Sequence, residues 1–174
     1  MPKVIQYFRD AYECFSNFFE RPIRYAGFTF STSEHLFQWF KATNDKDREY
    51  IRRSPSAKIA KRRGRKIKCR GDWENGKNGD SPYKIIAMII TVYTKFTQHE
   101  DLRKILVDTK DAILIEGNWW GDDYWGKILV GNEWEGENWL GKILMAARKI
   151  FAENKLFDYG AAAKLAADWE ATIE

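Results

Sequence analysis

Cysteine, proline and histidine are scarce in this chain of 174 residues, and each shortage closes a class of explanation. Two cysteines, Cys14 and Cys69, make neither a disulfide framework nor a four-ligand zinc site, and both read as reduced thiols. With 4 Pro and 12 Gly the chain is not collagen, a linker array or low-complexity disorder. The only histidines, His35 and His99, stand far apart in sequence, which leaves little for a Ser/His/Asp triad or a histidine metal site, although a carboxylate-only site stays open. Neither a Walker loop nor a Rossmann glycine pattern is present. The longest apolar run, Ile85 to Val92, is broken by Thr91 and is too short to span a bilayer, and no leader pattern opens the chain. These absences predict a cytoplasmic address and no membrane partner.

What remains is enough for one globular domain over 1–174, with 44% hydrophobic and 31% charged residues. Aromatics are abundant at 16%, including 8 Trp, many beside Gly, Asn and Asp instead of in apolar runs. The net charge of +4 hides an asymmetry. Ten of the nineteen residues from Arg52 to Arg70 are Lys or Arg and none is acidic, whereas the chain after residue 110 is acidic overall. Such a stretch attracts phosphates through sequence-independent electrostatics; the bland alternative is a solvated helix face.

The pattern predicts an α+β fold, mainly α-helical with a small antiparallel β element. Residues 4–8 and 23–30 read as short strands, with Ala26-Gly27 as a turn. Ser31 to Glu34 matches a capping box opening a helix through Leu36, Phe37 and Phe40. Ser54-Pro55 and Gly64 bracket a short basic helix from Ala57 to Arg63. Ser81-Pro82 opens a helix to about Gln98 that is apolar all round between Ile85 and Ile90, so it should be buried. A helix from His99 to Val107, a strand from Ala112 to Ile115, a long Trp- and Gly-rich loop from Gly117 to Gly136, a helix capped by Asn138 and a terminal helix from Ala161 to Thr172 complete the reading. Loops of that length are usually functional.

Three features suggest chemistry. Lys84 begins the apolar helix, where burial disfavours the ammonium and frees a nucleophilic amine; a snorkelling lysine is the alternative. Glu34 is a candidate general acid or base, although the capping box already explains a Glu there. The block from Glu116 to Gly126, continued by Gly136 to Gly141, packs carboxylates, amides and indoles against a helix N-terminus, a place for an anion or sugar hydroxyls.

Several blocks in order resemble the YbiA-like or NADAR family over about residues 15–150. They are Phe15-Ser16-Asn17-Phe18, the segment from Ser33-Glu34-His35 through Gln38 to Lys41, Lys84 with Met88, Glu116, Asp122 to Gly126, and Asn138 to Arg148. Two departures lie near the implied pocket: extra residues from Glu74 to Tyr83, and Trp119 and Trp120 in place of smaller residues. The resemblance implies an N-glycosidase that breaks the bond between a ribose anomeric carbon and an exocyclic amino nitrogen. Its substrate would be ADP-ribose on guanine, as a nucleoside or in nucleic acid, or else a ribosylamino-pyrimidine phosphate. A binding module that leaves the ligand intact is a further alternative.

Carried onto this chain, the resemblance makes Lys84 the nucleophile and Glu34 the acid/base, and gives Asp122 and Asn138 the ribose hydroxyls. Phe18 and Trp125 would wall the base, and Arg70 and Arg148 would take phosphate or structural ion pairs. Phe15, Ser16, Asn17, Glu116 and Gly126 complete the expected binding set. The mechanism calls for no metal and no other cofactor, and Arg52 to Arg70 would contact DNA or RNA. A pair of carboxylates, Glu34 with Asp122 or Glu116, is the rival mechanism.

Overall fold

The computed structural model describes residues 3–75 and 82–153. In chain order it contains β1 (Val4–Gln6), a 3-10 helix (Asp10–Phe15), β2 (Glu20–Tyr25), β3 (Phe28–Thr32), α1 (Ser33–Trp39), α2 (Asp45–Arg52) and α3 (Ala57–Gly64). It continues with α4 (Tyr83–Gln98), α5 (Glu100–Asp108), β4 (Ile113–Ile115), β5 (Gly117–Asn118), β6 (Lys127–Val130), β7 (Glu133–Glu135) and α6 (Trp139–Ala152). This is the α+β class expected. Ser81 and the terminal helix at 161–172 lie outside the described residues. Among the described residues no helix is long and apolar enough to cross a membrane.

The chain divides into two compact units, residues 17–98 and the remainder. In residues 17–98, β2 and β3 form an antiparallel hairpin closed by Ala26 and Gly27, both at positive φ. Two consecutive positive φ values match the right-handed twist of the strands, which is why a glycine is needed at one of them. Gln98, at the end of α4, bonds Arg24 through both ends of its amide, at 2.8 and 2.6 Å, and so joins helix to hairpin. Trp39 packs edge-on to Tyr25, Phe30 and Phe40, and Ala42, Ile51 and Ala60 form an apolar cluster beside it. From Ile85 to Phe96, α4 is buried on almost every face. This matches its unbroken apolar pattern.

Three local expectations change. Thr32, not Ser31, caps α1 by accepting the His35 N–H. Ser56 caps α3 in place of Ser54, whose carbonyl instead accepts a bond from His35 Nε2 at 3.0 Å. The helix α2 lies outside the elements that the pattern predicts, because only Tyr50 and Ile51 of its eight residues are apolar; Asn44 caps it by accepting the Asp47 N–H at 2.9 Å.

In the other unit β1 pairs with β4 in parallel, Val4 opposite Ile113. The first strand therefore joins a segment far away in sequence and not the neighbouring hairpin, a choice that local alternation cannot reveal. The expected loop also contains a three-stranded sheet, β5–β6–β7, whose last two strands turn at Gly131 with φ +61. Strands of two to four residues are too short for period-two alternation to register.

Candidate active site

In residues 17–98 the site is built around α1. Glu34 is its second residue, because the cap is Thr32, so it does not hold the third-residue position that a capping-box Glu occupies. Its side chain is 5% exposed, its N–H donates to the Asn17 carbonyl at 2.9 Å, and its Oε1 accepts from Gln38 Nε2 at 2.6 Å. One turn further on is Lys41. Burial pushes the Lys41 ammonium down from the usual lysine range; the charges of Glu34, Cys69 and Glu74 pull it back up, and Arg65 pushes it further down. The Lys41 Nζ lies 5.3 Å from the centre of the Trp73 ring, a cation–π distance.

Residues 69–74 run between the end of α1 and the start of α4. Ala42 and Cys69 form an antiparallel bridge, the Arg70 N–H donates to the Lys41 carbonyl at 3.0 Å, and the Tyr83 and Lys84 N–H groups donate to the carbonyls of Asp72 and Trp73. Lys84 is brought in by this strap. Its Nζ pairs with Glu74 at 2.5 Å, with its side chain 14% exposed, so it is neither solvated nor left alone in an apolar pocket. Arg70 forms a two-pronged ion pair with Asp72 and lies 3.3 Å from the Tyr83 ring centre. Burial raises the Cys69 thiol, and Lys41 lowers it in part.

Three buried oxygens around Glu34 have no hydrogen-bond partner: Asn17 Oδ1, Ser33 Oγ and Gln38 Oε1. Each such group costs about 1–3 kcal/mol when buried unmatched. Asn17 is bonded to the Glu34 backbone, Ser33 precedes it and Gln38 holds its carboxyl, so these costs gather on one side chain's surroundings. Native structures keep few such groups, and a ligand is one physical reason for them. Asn17 also donates to Met88 Sδ at 3.0 Å, tying the site to α4.

The basic helix lies beside this carboxyl. A Cβ on Gly64 of α3 would stand 2.0 Å from Gln38 Oε1, so α3 rests directly on the residue that holds Glu34. Lys61 Nζ is 5.8 Å from the ring centre of Phe18, which is 42% exposed. Two of the ten cations, Arg52 and Arg53, are tied to Glu49 on α2, whose carboxyl they hold down at about 2. Lys58, Arg62, Arg65, Lys66 and Lys68 are exposed.

The remaining expected residues lie in the other unit. Phe15 is fully buried, edge-on to Phe8, and the Ser16 N–H ends the 3-10 helix on Glu13. Asn138 stands at the start of α6 in the left-handed conformation, φ 56, but its side chain caps nothing. It is taken up by backbone: Oδ1 accepts from the Glu116 N–H at 3.0 Å and Nδ2 donates to the Leu114 carbonyl at 2.9 Å. Asp122 Oδ1 accepts the Trp125 N–H, and Asn118 joins the Asp122 and Lys127 carbonyls. Gly126 admits the Glu116 carbonyl, which would lie 2.1 Å from a Cβ. Arg148 donates to Thr109 Oγ1 at 2.8 Å and to the Ala112 carbonyl at 2.7 Å, and its burial lowers its proton affinity. Trp119, 80% exposed, and Trp120 form an edge-on pair on the surface. Neither cysteine is in a disulfide, and among the described residues no three His, Cys, Asp or Glu gather closely enough to hold a metal.

Sequence reasoning assigns no role to Ser33, Gln38 and Lys41, although the resembling block contains them, nor to Trp73 and Glu74. Gln38 was legible as the i+4 neighbour of Glu34 on a helix face. Glu74 was not, because only the strap brings it to Lys84.

His35, beside Glu34, belongs to the scaffold. It is fully buried, with Nδ1 2.8 Å from Thr32 Oγ1 and Nε2 facing the Ser54 carbonyl, so Nε2 carries the proton of a neutral ring. Burial pushes its pKa below 6.5, the Ser54 bond pulls it up in part, and the Arg63 charge lowers it again. The unfolded chain therefore binds the extra proton first, and stability is full above pH 6.5 and falls as the pH drops below it. Thermal melts between pH 7.5 and 5.5 are expected to show a steeper loss of Tm for the native chain than for His35→Gln. Equal slopes would discard this account.

The geometry defines an α+β protein with a buried carboxyl, held by the Gln38 amide and acting on the Lys41 amine, in residues 17–98. A model of the NADAR domain matches residues 6–152, and the chain belongs to the NADAR domain family. It is 41% identical over 119 residues to N-glycosidase YbiA of Shigella flexneri serotype 5b, covering 67% of this chain and 69% of that one. It is 40% identical over 124 residues to N-glycosidase YbiA of Escherichia coli K12, covering 68% and 73%. The NMR structure of E. coli YbiA superposes with a TM-score of 0.74 at 37% identity, over 88% of each chain.

Proposed function

We propose that the chain is an N-glycosidase that hydrolyses the bond between a ribose anomeric carbon and an exocyclic amino nitrogen, and that it removes ADP-ribose from guanine bases of nucleic acid. The observation that carries this reading is one electrostatic neighbourhood in residues 17–98: Glu34 couples to Lys41, Lys41 to Glu74, and Glu74 pairs with Lys84. The kinship with proteins named N-glycosidase supports the same bond.

In this reading Lys84 passes a proton to Glu74 and its free amine attacks the anomeric carbon, while Glu34 gives a proton to the ring oxygen, whose bond to that carbon breaks and opens the ribose. The attacking amine passes a proton to the exocyclic nitrogen of the base, the carbon–nitrogen bond to the base breaks, the base leaves as a free amine, and a protonated Schiff base joins the sugar to Lys84. Water adds to that imine and gives a proton back to Glu34, the lysine amine departs to leave an aldehyde, and the freed ring hydroxyl closes on it as a hemiacetal.

The basic helix supports a polymeric substrate, because a small phosphate ester needs few charges whereas a long phosphate chain rewards a continuous basic track. Here that track adjoins Gln38 and Phe18. Incubation with an oligonucleotide bearing ADP-ribosylated guanine, and separately with a ribosylamino-pyrimidine phosphate, tests the assignment. Release of ADP-ribose from the oligonucleotide is expected. Turnover of the pyrimidine compound alone would move the substrate, and retention of an intact bound ligand would make the chain a binding module.

A further inference from the structure

We infer that Gln38, seated by the missing side chain of Gly64, is a positioning residue that orients the Glu34 carboxyl for proton transfer. The inference rests on Glu34 acting as the acid in the reaction proposed above. An ionised carboxylate only accepts hydrogen bonds, so the nitrogen end of the Gln38 amide must face it, and Nε2 does so at 2.6 Å from Oε1. The other end of the amide is equally constrained: Gln38 Oε1 is buried without a conventional partner and points at the backbone of Gly64.

Any side chain at residue 64 would collide with this arrangement. A Cβ there would lie 2.0 Å from Gln38 Oε1 and 2.9 Å from its Cδ. Gly64 is the last residue of α3 and has no positive φ, so a left-handed helix end does not explain the glycine. The glycine is therefore accounted for by the space Gln38 needs. α3, the basic helix, thus sets the orientation of a carboxyl on α1 through one amide. Titratable and charged groups of this neighbourhood include Lys41, which feels the charge of Glu34, then Cys69, Glu74 and Arg65 around Lys41, Lys84 paired with Glu74, and His35, which is turned to Thr32 and Ser54 and feels the charge of Arg63.

The test is a pH titration of the Glu34 side-chain carboxyl by carbon-13 NMR in the native chain, Gln38→Leu, Gly64→Ala and the double variant. An N–H donated to a carboxylate favours its ionised form, so Gln38→Leu is expected to raise the proton affinity of Glu34 about tenfold. Gly64→Ala should shift it the same way by pushing the amide aside, and should add nothing in the double variant, where no amide remains to displace. For an N-glycoside that the native chain hydrolyses, kcat should fall by up to about 10²-fold with KM little changed. Thermal melts show that each variant is folded, and Gly64→Ala alone decides the matter if Gln38→Leu is not. An unmoved Glu34 titration in Gly64→Ala, or shifts that simply add, would overturn the inference. Failure of the catalytic reading looks different: Glu34→Gln would then retain full activity whatever the titrations show.

Discussion

Glu34→Gln is expected to lower kcat for ADP-ribose release by about 10²–10⁴-fold, the range that a positioned general acid contributes. The substitution keeps shape and removes only the transferable proton. Glu34 is buried and its backbone N–H already bonds Asn17, so the helix start survives the change. Its capping hydroxyl belongs to Thr32 and is untouched. Single-turnover measurements on the ADP-ribosylated oligonucleotide separate the effect on chemistry from that on binding. A variant with native kcat would remove this carboxyl from the reaction.

The second large effect is expected at the amine. Lys84→Ala should reduce turnover by about 10³-fold or more, because a covalent route loses its nucleophile outright. The fold should tolerate the change: Lys84 pairs with Glu74, whose side chain is 63% exposed, so water can take over the abandoned carboxylate. Borohydride added during turnover should trap a reduced sugar adduct, and peptide mapping should place it on Lys84. An adduct on Lys41 would transfer the role to the amine that burial already disfavours as an ammonium. Native activity in Lys84→Ala without any adduct would end the covalent route through this lysine.

Rings on periodic helix faces and rings beside polar turns meet different surroundings, and the sequence pattern separates them in part. Of the helix-face rings, Phe37, Phe40, Tyr93 and Phe96 are buried and Phe151 is half-buried; of the turn rings, Phe18, Trp119 and Trp120 are exposed, whereas Tyr124 and Trp125 are half-buried. The buried α4 was legible for the same reason. Reading failed where spacing and contact part company. The capping box was assigned one residue early, because Ser31 and Thr32 both carry hydroxyls and only the backbone decides which one meets the open N–H groups. Asn138 was expected to cap α6 with its side chain, but the amide is taken by Leu114 and Glu116, residues more than twenty positions away.

Sequence alone determined the family, the α+β class, the helix carrying Glu34 and the basic stretch beside it, because order of motifs, apolar period and charge are properties of the chain read locally. Only the tertiary structure decided the company these residues keep. It brought Glu74 to Lys84, rested Gly64 on Gln38, gave Lys41 its burial over Trp73 and paired β1 in parallel with β4. Each of these joins segments on different elements. Periodicity says which face of an element is apolar, but the partner of that face is chosen by packing and hydrogen bonding across the whole unit.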